Sequence, residues 1–472
     1  MFDDRMEKVN DECGVFGIYA PGRDVAEMIY LGLFSLQHRG QEGCGIAVSD
    51  GSFINHYKNL GMVTDVFNQQ TLNTLNGYLG IGHVRYSTSG QSKTQQNTQP
   101  IVARYQHGQI ALAHNGSLTN AVELRARLME RGSLFHTTID SEQIVGLIAS
   151  HGQDEMEQAM LKAMIDLKGS YSLVIMNENK LYAVRDPYGN RPLCIGTLGK
   201  DGYVVASESC ALDAIGAKFL RDVAPGEIIT IDEDGLHSTK LFNQAENALC
   251  IFEFIYIARP DSNIDGINVN KARRLMGREL AKEAPLDVDV VISVPDSGTT
   301  AAIGYAEESG VPFTQGILKN RYTGRSFIQP TQEMREQMVK LKLNPIRDAL
   351  EGKRIAVVDD SIVRGTTSRK LVKLLREYGA KEVHFLVSAP PVAYPSYYGV
   401  DTGNPEELIA SKMTEAEICE YIGADSLHYL SMEGILRAVE WSGVGFCTAC
   451  LNGKYPMGLP TCDNGNNKEA LE

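Results

Sequence analysis

Asp11-Glu12-Cys13-Gly14-Val15-Phe16-Gly17-Ile18 places a cysteine at the head of an apolar run close to the start of the chain. A lone thiol needs a base to become a nucleophile, and a lysine, titrating near ~10.4, serves poorly at neutral pH. A terminal α-amine titrates near ~8, so a cysteine that becomes the first residue carries its own base. That chemistry requires removal of residues 1–12, a short acidic stretch with no apolar core, which reads as a pro-segment and not as a secretion signal. Taken alone, Cys13 fits a small buried thiol equally well. The rest of the chain decides between the two.

At 472 residues the chain exceeds the size at which one core stops growing, so two domains are expected. A hydrophobic content of 43% with 22% charged residues is a globular composition, and no apolar run is long enough to span a bilayer. A cytoplasmic protein without a membrane partner is therefore expected. The net charge of −14 speaks against a nucleic-acid partner, which would need a basic surface, while leaving room for a local phosphate pocket. Nine scattered cysteines, an odd number, suit catalytic or metal-binding thiols better than a disulfide framework.

From residue 13 to about residue 245, short apolar runs alternate with turn signals, as at 77–85, 110–114 and 172–176, and helical patterns occupy 24–37 and 120–131. This predicts a strand-rich α+β domain. From about residue 265 the rhythm becomes strand, loop, helix. The run 290–294 precedes Pro295-Asp296-Ser297-Gly298-Thr299 and a helix through Glu308, and the run 354–358 precedes Asp359-Asp360, a loop to Thr367 and a helix to Tyr378. Buried parallel strands alternating with helices predict an α/β domain. The expected division is 1–12, 13–245 and 246–472.

The motifs Cys13-Gly14-Val15-Phe16-Gly17-Ile18, Ser35-Leu36-Gln37-His38-Arg39-Gly40-Gln41-Glu42, Gly82-His83-Val84-Arg85-Tyr86 and His114-Asn115-Gly116 resemble the glutaminase domain of the amino-terminal-nucleophile amidotransferases, an αββα sandwich. The resemblance implies that the Cys13 thiolate attacks the glutamine side-chain amide. It also implies that the Asn115 side chain and the Gly116 N–H stabilise the oxyanion. Such donors are worth about 2.7–4 kcal/mol each. By themselves, Asn115-Gly116 read as a hairpin turn. Glutamine's α-carboxylate calls for a cation, and Arg85 offers the planar fork; the resemblance assigns the α-ammonium to Asp140. Asp140 also opens a helical pattern and could act as its cap.

Val357-Val358-Asp359-Asp360-Ser361-Ile362-Val363-Arg364-Gly365-Thr366-Thr367 resembles the phosphoribosyl pyrophosphate loop of the type I phosphoribosyltransferases. Two carboxylates at the carboxyl end of a buried strand lie where α/β sheets bind ligands, within reach of ribose hydroxyls. Ser361, Arg364, Gly365, Thr366 and Thr367 then offer N–H and hydroxyl donors to a 5′-phosphate at a helix start. The resemblance further implies a magnesium ion near Ser297, Asp359 and Asp360. It implies too that Lys319, Arg321 and Tyr322 belong to a flap, 318–342, which closes over the substrate and excludes water.

Some proteins of this kind bind a [4Fe–4S] cluster through four cysteines, and Cys250, Cys447 and Cys450 fall at three of those places, with Ser396 at the fourth. Such a cluster ordinarily takes four thiolates, so the expectation is a chain with no stable cluster. The two resemblances together imply glutamine-dependent amination of phosphoribosyl pyrophosphate to 5-phosphoribosylamine, pyrophosphate and glutamate, the opening step of purine nucleotide synthesis. Purine nucleotide feedback inhibitors and a homotetramer are implied with it. A synthase sharing only the first domain would not need the Asp359-Asp360 loop. A nucleotide-sensing regulator would not need Cys13, Arg85 or Asp140.

Overall fold

The computed structural model describes residues 13–86, 94–241, 245–320, 343–400, 402, 405–439 and 444–460. The expected pro-segment, and with it the expected cleavage site, lies outside the described residues, as do Arg321 and Tyr322 of the expected flap.

Among the described residues thirteen strands build the first half: β1 Gly14–Tyr19, β2 Gly43–Ser49, β3 Ile54–Leu60, β4 Leu79–Arg85, β5 Ile101–Tyr105, β6 Gly108–Leu118, β7 Gly169–Met176, β8 Leu181–Arg185, β9 Cys194–Leu198, β10 Gly202–Ala206, β11 Lys218–Asp222, β12 Glu227–Asp232 and β13 Gly235–Lys240. They form two antiparallel sheets, ordered β11-β9-β10-β1-β4-β2-β3 and β13-β12-β8-β7-β6-β5. Val15, Ala47 and Ile81 of one sheet pack into the same core as Ala113, Val174 and Ile229 of the other. On the outer faces, Phe16 and Ile46 meet Ile29 and Leu33 of helix Ala26–Ser35, while Leu112 and Ile175 meet Ile144 and Ile148 of helix Asp140–Ser150. The result is the expected αββα sandwich. Strands β1, β2, β4, β7 and β8 are buried on both faces. That is why their sequences read as continuous apolar runs instead of alternating ones.

The second half is built on a four-stranded parallel sheet, Val290–Ser293, Arg354–Asp359, Glu382–Val387 and Ser426–Tyr429 in that order. Helices Val269–Glu283 and Thr299–Ser309 cover one face through Met276, Leu280 and Tyr305. Helices Thr366–Glu377 and Glu415–Ile422 cover the other through Leu371, Leu375 and Ile418. The chain crosses between the halves after β13 ends at Lys240 and before the short strand Leu249–Cys250. Among the described residues no helix is long and apolar enough to cross a membrane.

Two candidate active sites

The strand register draws the first site together. Gly14 in β1 lies opposite Val84 in β4, so Cys13 sits beside the end of β4, and its Sγ donates to the Tyr86 carbonyl over 3.4 Å. One residue before Val84, the His83 imidazole crosses to the second sheet and donates from Nε2 to the His114 carbonyl over 3.0 Å. Burial, with the nearby Arg85 charge, pushes His83 down to about 3, so the ring is neutral and Nε2 carries the proton. The ends of β4 and β6 are thereby held at one end of the sandwich.

Asn115 and Gly116 are not a turn: they lie inside β6, opposite Ser172 and Tyr171 of β7. Gly116 adopts φ +146, and a Cβ there would stand 2.2 Å from the Ser170 carbonyl oxygen, so only glycine fits. Asn115 is buried, and its Nδ2 has no hydrogen-bond partner among the described residues. An unsatisfied buried donor is costly, and this one follows directly on His114, whose carbonyl the His83 side chain reaches.

Arg85, at the end of β4, is buried. Burial lowers its guanidinium from the ordinary value, while the nearby Cys13, Glu42 and Asp140 groups pull the other way. Asp140 is the first residue of its helix and not its cap; the capping position is Ile139. Its carboxylate accepts from the Leu118 N–H over 3.0 Å and lies 3.5 Å from His114 Nδ1. Burial raises the Asp140 carboxyl, but His114 and the Leu118 N–H outweigh it, so Asp140 stays below the usual carboxylate range and ionised. The alternative reading of Asp140 as the helix cap is therefore not met, and the carboxylate turns toward β6.

In the second half, Asp359 ends its strand and Asp360 follows, both buried. The Asp360 N–H donates to Asp359 Oδ1 over 2.9 Å, Ser361 Oγ donates to Asp360 Oδ2 over 2.8 Å, and Ser297 Oγ donates to Asp360 Oδ1. The two βα loops thus meet at the acidic pair. Gly365, at φ +75, opens helix Thr366–Glu377 without a side-chain cap, and the buried Thr366 Oγ1 has no partner among the described residues. A helix start left uncapped with an idle hydroxyl suits an anion. Thr367 is half-buried on the same turn. Arg364 points elsewhere, its Nε donating to Glu407 over 3.0 Å, and Lys319 Nζ lies 2.7 Å from Asp296.

Strand Leu249–Cys250 pairs in parallel with Phe446–Cys447, so Cys250 and Cys447 are partners in register. Burial, reinforced by Cys250 and Cys447, pushes the nearby Cys450 thiol well up. The Ala393 and Tyr394 N–H groups both donate to the Cys450 carbonyl over 3.1 Å, which lays the loop carrying Ser396 over this pocket. Ser396 Oγ accepts weakly from the Tyr398 N–H, at 3.5 Å. Among the described residues no three His, Cys, Asp or Glu side chains are placed to hold a metal ion.

Sequence reasoning gave no role to Arg39, Glu208, Glu253, Arg191 or Arg273, all fully or almost fully buried. For Glu253 a signal was present: a carboxylate within Leu249-Cys250-Ile251-Phe252-Glu253-Phe254-Ile255-Tyr256-Ile257 must be buried, and a buried carboxylate must be paired.

Fold and sites together define a glutamine amidotransferase joined to a phosphoribosyltransferase. Residues 83–214 match the family model for the glutamine amidotransferase domain and residues 265–411 the one for the phosphoribosyl transferase domain. The amidophosphoribosyltransferase of Synechococcus elongatus is 50% identical over 97% of this chain and 94% of its own length. That of Bacillus subtilis is 48% identical over 95% and 94%. The solved structure of the B. subtilis glutamine phosphoribosylpyrophosphate amidotransferase, complexed with ADP and GMP, superposes with a TM-score of 0.89 at 48% identity, covering 94% of this chain and 97% of that one. The chain belongs to the amidophosphoribosyltransferase family. It transfers the amide nitrogen of glutamine to phosphoribosyl pyrophosphate in the first step of purine biosynthesis.

Proposed function

We propose that Cys13, freed at its amino group by removal of residues 1–12, is the glutaminase nucleophile, with its own α-amine as base. The observation that carries this reading is the orphaned Asn115 Nδ2, buried next to Gly116 in β6, the strand whose His114 carbonyl is reached by the His83 side chain from β4. In this reading the Asn115 amide and the Gly116 N–H receive the oxyanion, since a donor already in place and unpaired needs no reorganisation when charge develops. Arg85 takes the glutamine α-carboxylate and Asp140 the α-ammonium. Ammonia then passes inside the protein from the first half, 13–245, to the second, 246–472.

There, Asp359 and Asp360 hold the ribose hydroxyls, and Ser361, Gly365, Thr366 and Thr367 the 5′-phosphate. Arg364 joins them by exchanging Glu407 for phosphate. Lys319, with Arg321 and Tyr322, closes from the flap. The oxygen donors Ser297, Asp359 and Asp360 suit magnesium, which would neutralise the pyrophosphate leaving group. The cysteine pocket suits a [4Fe–4S] cluster poorly: it offers three thiols and a serine hydroxyl, a harder donor than iron–sulfur centres take. No cluster is part of this reading. Purine nucleotides such as the ADP and GMP bound by the B. subtilis relative act as feedback inhibitors, and the enzyme works in the cytoplasm as a homotetramer.

Cys13→Ala tests the reading. Glutamine-dependent synthesis should vanish and synthesis from added ammonia should persist, while active enzyme should give Cys-Gly-Val-Phe on amino-terminal sequencing. Equal loss of both activities in a folded variant, or full activity from a chain that retains residues 1–12, would refute it.

A further inference from the structure

The first half does not complete the surroundings of Cys13 by itself. Arg39, at the end of the short turn Gln37–Arg39, donates from Nε to the Cys13 carbonyl over 3.1 Å. Its Nη1 donates to Glu208 Oε1 over 2.6 Å and to Glu253 Oε2 over 2.9 Å, and its Nη2 to Glu253 Oε1 over 2.7 Å. The side chains of Arg39, Glu208 and Glu253 are all 0% exposed. Glu208 belongs to the first half, but Glu253 opens the π-helical turn Glu253–Ile257, and its neighbours Phe252, Phe254 and Ile255 pack in the core of the second half. A second buried cation, Arg191, lies 3.7 Å from Glu253 Oε1, so the two carboxylates face two arginines.

Burying charge is expensive, and an apolar replacement is often no less stable, so a buried cluster is poor evidence of stabilisation. What it supplies is geometry, and a bidentate fork supplies most. The Cys13 carbonyl is attached to the Cα that also bears the thiol and the α-amine. Holding the carbonyl fixes the rotation of that residue against the sheet, and with it where thiol and amine point.

We infer that Glu253, contributed by the phosphoribosyltransferase half, is a positioning residue for the glutaminase nucleophile: it grips Arg39, which in turn aims Cys13 through its carbonyl. The inference rests on Cys13 being the nucleophile.

The test is Glu253→Gln in the full-length enzyme, which keeps the shape and removes the charge, measured beside Cys13→Ala. Glutaminase kcat should fall about 10- to 100-fold and alkylation of Cys13 by iodoacetamide about tenfold, the scale on which small misplacements act. Ammonia-dependent synthesis should stay within about twofold, a split that a general loss of structure would not produce. Arg39→Lys should reproduce the split, and the double variant should be no worse than Arg39→Lys alone. If Glu253→Gln does not fold, Glu253→Asp, which shortens the arm, is judged by the same measurements. Glutaminase and alkylation at parental rates, or parallel loss of both activities, overturn the inference. A Cys13→Ala variant that still uses glutamine overturns the nucleophile assignment itself, and separates that failure from this one.

Discussion

Asn115→Ala should cripple the glutaminase without weakening the fold, because the amide it removes is idle in the resting structure. Asn115 Nδ2 is buried and has no partner among the described residues. Truncation therefore forfeits no hydrogen bond at that atom and relieves an unsatisfied donor that costs about 1–3 kcal/mol. The cavity left by the amide acts in the opposite direction with similar size. The unfolding midpoint should move by less than about 4 °C in either direction. Catalysis has no such cancellation. Loss of one preorganised oxyanion donor costs about 2.7–4 kcal/mol, which is about 100- to 1,000-fold in kcat. The assay is glutamate release at saturating phosphoribosyl pyrophosphate, beside ammonia-dependent synthesis and a thermal melt on the same preparation. Glutaminase within tenfold of the parent would remove Asn115 from the oxyanion role. A steep fall in the midpoint with loss of both activities would show that its amide is a structural group after all.

Three further outcomes are expected. Asp359→Ala or Asp360→Ala should abolish synthesis from both glutamine and ammonia while sparing basal glutaminase, and normal affinity for phosphoribosyl pyrophosphate in either variant would refute the ribose assignment. Asp222 is pushed up to about 7 by burial first and then by the charge of Asp265, against the partial opposition of Arg185. From its ordinary value near ~4 up to about 7 the folded state keeps a proton that the unfolded chain has released, so this group's stabilisation, full at low pH, is lost as pH rises through that window, by at most about 1.4 kcal/mol per pH unit. Urea midpoints at successive pH values should show the slope reduced in Asp222→Asn, and an unchanged slope would sink the argument. Anaerobically purified enzyme should be colourless, with Cys250, Cys447 and Cys450 titrating as thiols only after unfolding. About four irons per chain, with a brown colour lost in air, would overturn the reading of the cysteine pocket.

Much of this is legible in the amino-acid sequence alone. The strand–acidic pair–helix order around Asp359 and Asp360 survives intact because each part is local: a buried strand, a loop and an amphipathic helix declare themselves within about twenty residues. Asn115-Gly116 shows where local reading fails. The dipeptide has turn chemistry, and it lies inside an eleven-residue strand because pairing with β7 overrides propensity. Asp140 is similar, since its local pattern also suggests a cap, whereas its carboxylate accepts from the Leu118 N–H and lies beside His114 on the sheet against which its helix packs. Arg39, Glu208 and Glu253 are separated by up to 214 positions. Only a buried carboxylate in an apolar run hinted that such a cluster existed.

The loop from Ala393 to Gly399 joins the cysteine pocket to strand β6 at Gly116, and its hydrogen bonds explain how a serine can stand at position 396. At one end the Ala393 and Tyr394 N–H groups are held by the Cys450 carbonyl, and Tyr455 Oη donates to the Pro395 carbonyl over 2.7 Å. At the other, the Tyr398 carbonyl accepts from Ser170 Oγ over 2.6 Å and from Arg191 Nε over 3.0 Å. Gly399 then packs so closely on Gly116 that a Cβ at position 399 would lie 3.3 Å from the Gly116 Cα. Backbone groups, the Tyr455 and Ser170 hydroxyls and the Arg191 guanidinium make these anchors, and none of them uses a cysteine sulfur or the Ser396 hydroxyl. A loop held this way keeps Gly399 against the Gly116 strand through anchors outside residue 396, whose hydroxyl adds only the weak bond from the Tyr398 N–H. The serine at position 396 is therefore compatible with an intact support for the Gly116 strand.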